Sequence, residues 1–110
     1  MKVYRVERKQ GSVIATVNDQ PLQHVTYHGD GSFEFGNASK PAQDLALSIL
    51  ADFYEEYPTP EQLHHGTAMC WPHHQKFTWR FIAMPTENIT GNIFEVTEDE
   101  IRVWLTASQK

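Results

Sequence analysis

Five side chains able to hold a metal ion or carry a proton fall within eleven residues of this chain: His64, His65, Cys70, His73 and His74. Neutral imidazole and thiolate are ligands that zinc favours, and four of them close a tetrahedral site. One reading is therefore a metal-binding protein, or a metal-dependent enzyme, that takes zinc in the 64–74 segment. The segment lacks a second Cys-x-x-Cys or Cys-x-x-His pair, and adjacent histidines on regular structure point in different directions. Only local loop geometry would gather His65, Cys70 and His74 and leave an open position for water. The same residues also read as packing: His74 lies one helical turn before Phe77, and Cys70 beside Trp71 serves as a small buried apolar group. Cys70 near a histidine has the parts of a thiol nucleophile, but Met69 and Trp71 would bury the sulfur and favour the neutral thiol.

Paired carboxylates for acid–base work would have to come from Asp52, Glu55 and Glu56 or from Glu98, Asp99 and Glu100. Each group has an ordinary use at a helix end and is not read as catalytic. With Asp44 and Glu61, the first group lies in an interval from Lys40 to Lys76 that contains no other Lys or Arg. A second acidic interval runs from Arg80 to Arg102, whereas residues 2–9 carry Lys2, Arg5, Arg8 and Lys9 against Glu7 alone. Acids at helix starts need no partner beyond the helix dipole. Read instead as a docking surface, Asp52, Glu55, Glu56 and Glu61 are the candidate protein-interaction residues, suited to a partner with a basic patch. Gly29-Asp30-Gly31 lacks the Lys-Ser/Thr and helix that follow a phosphate loop, and reads as a hairpin turn. Tyr4, Tyr27, Phe33 and Phe35 would stack on bases only if exposed beside cations, which only the first strand offers. His24 and His28 share one side of a predicted strand with Leu22 and Thr26 and are expected to be exposed.

With 110 residues, 40% of them hydrophobic and 12% aromatic, the chain can bury a core of its own, and one domain over 1–110 is expected. Lys and Arg number 9 against 14 Asp and Glu, and the formal charge of −5 argues against general nucleic-acid binding by counterion release. No apolar run approaches the ~20 residues a bilayer requires. The start Met1-Lys2-Val3-Tyr4-Arg5 has no signal-like stretch, and one cysteine allows no internal disulfide. The expectation is a cytoplasmic protein without a membrane partner.

These groups must be positioned by the elements that the hydrophobic pattern predicts. Two-residue alternation marks strands at Tyr4 and Val6, at Val13 to Val17, at Val25 and Tyr27, and at Phe33 and Phe35. Gln10-Gly11-Ser12, Asn18-Asp19-Gln20-Pro21 and Gly29-Asp30-Gly31 separate them with turn residues. After Pro41, the residues Ala42, Leu45, Ala46, Ile49 and Phe53 form a helical stripe, widened by Leu47, Leu50 and Tyr54. That helix should lie between the sheet and another element and end at Pro58. Thr59-Pro60-Glu61-Gln62 is a capping box opening a short helix or turn toward His64. His74, Phe77, Phe81 and Met84 predict a further helix stopped by Pro85, and Ile93-Phe94-Glu95-Val96 predicts a last strand. Thr97-Glu98-Asp99-Glu100 caps a final helix that buries Ile101, Trp104 and Leu105. The expected class is α+β: an N-terminal antiparallel β-meander of three to four strands packed by about three helices, near 40–56, 73–84 and 98–107.

Four ordered blocks carry a family likeness: Gly31-Ser32-Phe33-Glu34-Phe35-Gly36, Ser39 to Leu50, Phe77 to Pro85, and Val96 to Leu105. Over roughly residues 13–105 the chain resembles a domain-of-unknown-function family (DUF6166-like) of small proteins found on phages, plasmids and in prokaryotic genomes. It departs from the family pattern in having Phe35 where a tryptophan is usual, a shorter turn at Asn37-Ala38, and a longer, histidine-rich segment from Pro58 to His74. The resemblance implies the boundaries and a mobile-element context; no catalytic residues come with it.

The leading expectation is a small non-enzymatic interaction protein without a cofactor. It would be an accessory factor that occupies a surface of a host protein, such as a component of a defence system. A metal-dependent role for the histidine segment is one alternative. A small-ligand or nucleotide module, with a pocket between the sheet and the Pro41 helix, is the other; self-association is left open.

Overall fold

Two tight turns build the first part of the sheet in the computed structural model, which describes residues 1–83 and 87–108. β1 (Val3–Lys9) and β2 (Ser12–Val17) pair antiparallel with Lys9 opposite Ser12. Gln10 and Gly11 between them both take positive φ, 49° and 82°. Asn18 and Asp19 do the same, at 48° and 66°, before the short β3 (Gln20–Pro21). Positive φ at both central residues is the turn geometry whose twist matches a hairpin. A C-terminal hairpin, β4 (Ile89–Thr90) and β5 (Ile93–Thr97), then pairs through β5 with the free edge of β1. The result is an antiparallel five-stranded sheet of order β3-β2-β1-β5-β4. Facing residues share a side of the sheet, so Tyr4, Val6, Ala15, Phe94 and Val96 all point into the core. Arg5 lies on the open side and pairs with Glu95 at 3.2 Å.

The helices cover the inner face. α1 (Lys40–Phe53) starts with proline in its first turn, and every residue from Asp44 to Ala51 is buried, as expected of a helix with elements on more than one side. α2 (Pro60–His65) opens with the expected capping box: Thr59 Oγ1 accepts from the Gln62 amide at 3.1 Å, and Gln62 Oε1 accepts from the Thr59 amide at 2.8 Å. α3 (His74–Phe77) runs on into a wider π turn, Thr78–Ile82, closed by the Ala83 amide on the Thr78 carbonyl at 2.7 Å. α3 and this turn both pack on α1. The expected helix positions Met84 and Pro85 lie outside the described residues. α4 (Glu98–Ser108) is opened by the second capping box, Thr97 with Glu100, and buries Ile101 and Leu105. The α+β class is thus observed, and no helix among the described residues is long and apolar enough to cross a membrane.

The expected strands at Val25–Tyr27 and Phe33–Phe35 do not form. Their backbone groups are claimed by side chains instead of by a neighbouring strand. Asp44, fully buried on α1, accepts three consecutive amides: Tyr27 at 3.1 Å and His28 at 2.8 Å on Oδ1, and Gly29 at 2.8 Å on Oδ2. One turn later Ser48 Oγ accepts from the Val25 amide at 2.8 Å and donates to the Asp44 carbonyl at 2.7 Å. Buried amides must find acceptors, and here α1 supplies them. Gly29 suits this approach, because a Cβ there would stand a tight 3.3 Å from Asp44 Oδ2 and 3.4 Å from the Pro41 nitrogen. Gly29-Asp30-Gly31 is consequently not a hairpin turn; Asp30 makes a local turn of its own by accepting from Ser32. Farther on, Arg8 donates to the Phe35 carbonyl at 2.9 Å and to Glu34 at 2.6 Å, and its guanidinium lies 4.2 Å from the centre of the Phe35 ring. Phe33 and Phe35 enter the core together with Tyr4, which leaves Tyr27, 39% exposed, as the sole member of that aromatic set on the surface.

Asp44→Ala would leave three amides without their acceptor, so urea denaturation is expected to show a loss of about 3 kcal/mol or more. Asp44→Asn retains one acceptor oxygen and should fall between that variant and the parent. Phe94→Ala, at the centre of the sheet's inner face, should cost about 3–5 kcal/mol. Ile14→Ala on the open face should stay within about 0.5 kcal/mol of the parent.

Candidate functional site

The C-terminal end of α1 forms one wall of a cleft of about 440 Å³, lined by Asp52, Glu55, Glu56 and Tyr57 with Lys2, Gln23 and Val25 opposite. Three of the four carboxylates singled out as interaction candidates therefore meet in one place. Asp52 is partly neutralised: its Oδ2 accepts from Lys2 Nζ at 3.1 Å and from the Tyr4 hydroxyl at 2.7 Å. Burial pushes the Tyr4 phenol well above its ordinary pKa, and the hydrogen bond to Asp52 adds to this, so the hydroxyl remains a donor. Glu56, also on the cleft wall, accepts from the amides of Cys70 at 2.6 Å and Met69 at 3.0 Å, tying the 68–71 turn to the end of α1. No Lys or Arg among the described residues pairs with Glu55, Glu56 or Glu61. The cleft thus sets three carboxylates against one ammonium group, beside the 76%-exposed ring of Tyr57. Glu61 sits in the first turn of α2 and is exposed.

Glu55 occupies an unusual backbone position. α1 ends in a Schellman motif, in which the Glu56 amide reaches back to the Ala51 carbonyl at 2.9 Å and the Glu55 amide to the Asp52 carbonyl at 3.0 Å. That motif demands a left-handed residue, and Glu55 supplies it with φ of 55°. α2 ends in the same way, with Thr67 bonded to Gln62 and Gly66 to Leu63, but there the left-handed residue is Gly66. A residue carrying a Cβ costs roughly 1–2 kcal/mol in this conformation and glycine almost nothing. α1 thus ends at Phe53, with Tyr54 as its cap and Glu55 left-handed beyond it, ahead of the proline expected to stop it.

The histidine and cysteine candidates are dispersed. His64 and His65 are exposed on α2, their ring centres 5.3 Å apart and their planes at 72°. His73 packs edge-on to Trp104 at 6.2 Å. Cys70 is fully buried; burial and then the Glu56 carboxylate beside it push the thiol pKa up, so the sulfur keeps its proton at neutral pH. His74, 2% exposed, points at His28, with the two Nε2 atoms 2.9 Å apart. Among the described residues no group of three His, Cys, Asp or Glu side chains is placed to hold a metal ion.

His24 and His28 are not exposed as expected but half-buried, since the segment that carries them folds onto α1 rather than forming a strand edge. The rings of His24 and Phe33 stack at 3.8 Å with their planes 2° apart, and burial lowers the His24 pKa. That pair lines an open groove of about 770 Å³ between Ser12, Val13 and Ala15 of β2 and Pro41 at the start of α1. Two features of these sites had no signal in the sequence strong enough to find them. The His28–His74 pair joins residues 46 positions apart. The strain at Glu55 was legible only as the absence of glycine between Phe53 and Pro58.

No curated protein and no solved structure matches the chain. Residues 4–107 match the family described as "Family of unknown function (DUF6166)", so the match takes in nearly all of β1 and α4, Asp44 with the amides it binds, and the cleft apart from Lys2. The likeness seen in the four blocks holds along nearly the whole length, and this chain belongs to that family.

Proposed function

We propose that the chain is a non-enzymatic protein-interaction module that docks a basic segment of a partner protein into the cleft at the end of α1. The observation that carries this reading is Glu55: a glutamate held in a left-handed conformation, where glycine serves α2, with its side chain on an acidic cleft. Backbone strain retained where a cheaper residue would fit points to a use for the side chain. Asp52 and Glu56 are each committed to internal contacts, so Glu55 is the carboxylate best placed to receive a Lys or Arg from outside. Tyr57 offers its exposed ring to the aliphatic stem or the guanidinium face of that residue. Charge complementarity of this kind speeds encounter and weakens with salt.

A second reading is favoured by the groove beside Pro41, where the buried Nε2 of His24 makes no hydrogen bond. A small polar ligand there would supply its partner. Thermal shift against a nucleotide panel checks this reading, since a ligand bound only by the folded form raises the melting temperature.

The cleft is tested with a labelled arginine-rich peptide by fluorescence anisotropy at several salt concentrations. Glu55→Lys should weaken binding by about tenfold or more, as expected for a reversed contact charge. Asp99→Lys, an equal charge change on α4, should leave binding near the parent value. Glu55→Gly should lose affinity while gaining up to about 1 kcal/mol in stability. Equal loss in the Glu55 and Asp99 variants would reduce the effect to net charge and defeat the proposal.

A further inference from the structure

We propose that His28 and His74 form a proton-operated latch between the 22–36 segment and α3, joined while the pair carries at most one extra proton and opened by the second. The ring centres are 5.1 Å apart, about one ring diameter more than the 2.9 Å between nitrogens, and the planes differ by 26°. The two Nε2 atoms therefore face each other nearly in line and in plane, which is the geometry of one shared hydrogen. His74 Nδ1 lies 2.6 Å from the Trp71 carbonyl, which only accepts, so that nitrogen carries hydrogen. Neutral His74 must then accept at Nε2, and His28 Nε2–H is the donor. A first added proton goes to His28 Nδ1 and leaves this bond intact with charge assistance. A second must go to His74 Nε2. That places two donors and two positive charges face to face within 2.9 Å.

The charged groups acting on the pair come from α1 as well as from the pair itself. Burial lowers both imidazoles below the ordinary value of 6.5. For His28, Asp44 opposes that shift and Lys40 reinforces it. For His74, the Trp71 carbonyl and Asp44 oppose it, and His28 reinforces it. Below pH 6.5 the unfolded chain thus binds more protons than the folded one. The stability from this pair is complete above about pH 6.5 and declines as pH falls through that value. Trp71 packs against both imidazoles, its ring centre 4.5 Å from His74 and 5.9 Å from His28, and the surface ring of Tyr27 lies 5.0 Å from Trp71.

Nitrogen-15 NMR of the histidine side chains from pH 8 to 4.5 tests the latch directly. At pH 8, His74 should be protonated at Nδ1 and His28 at Nε2. On acidification the two rings should titrate as a coupled pair, in steps separated by more than about one pH unit. The lower step should coincide with at least about tenfold faster exchange of the His74 and Phe77 amides, once intrinsic pH effects are removed. His28→Gln keeps an N–H donor toward His74 but takes no proton. It should leave a single titration step, that of His74, in place of the coupled pair and reduce proton uptake on unfolding by up to about one. Hydrogen on His74 Nε2 at pH 8, or a single shared step with unchanged amide exchange, would overturn the proposal.

Discussion

Three successive amides, those of Tyr27, His28 and Gly29, share one buried carboxylate, and much of the molecule's inner geometry depends on that contact. Asp44 has no cationic partner among the described residues; the amide dipoles themselves stabilise it, as a helix N-terminus stabilises an anion. The contact fixes a non-repetitive stretch of chain on α1 as firmly as a ladder would fix a strand. Leu22, Val25, Phe33 and Phe35 can then fill the core from a loop. It also sets His28 in front of His74 and Val25 at the rim of the acidic cleft, so both sites inherit their shape from α1.

The polarised charge of the sequence is largely absorbed by the fold. Lys2, Arg5 and Arg8 reach Asp52, Glu95 and Glu34 within 4 Å, which draws the basic start of the chain onto acids from distant segments, while Lys9 pairs with its near neighbour Glu7. Exposed pairs of this kind add little stability each. Their larger effect is to decide which acids are left over. Glu55 and Glu61 are among them, and Glu55 stands where the end of α1 meets a cleft. The end of α1 thereby keeps a place with shape as well as charge.

Local chemistry was readable in advance and non-local chemistry was not. The two tight turns, the proline start of α1 and both capping boxes depend on residues within a few positions of one another, and all appear where their residues predict. The alternation of Phe33 with Phe35 reports burial of alternate side chains and not strand pairing, and of Val25 and Tyr27 only Val25 is buried, with the acceptors of that stretch on α1. The histidine cluster misled for the opposite reason. Proximity in sequence put five ligand types together, and α2, the 68–71 turn and α3 then carried them to separate surroundings. His74 finds its partner across 46 residues, a distance no spacing rule reaches.

The central claim is that α1 side chains hold the 25–29 backbone in place of a strand partner. Native-state hydrogen exchange of the unaltered protein at neutral pH tests it most directly. The amides of Val25, Tyr27, His28 and Gly29 should exchange as slowly as those of β1 that bond to β5, opening only with the whole fold. Exchange of these four amides at the rate of the exposed turn at Gly11, while β1 stays protected, would contradict the account.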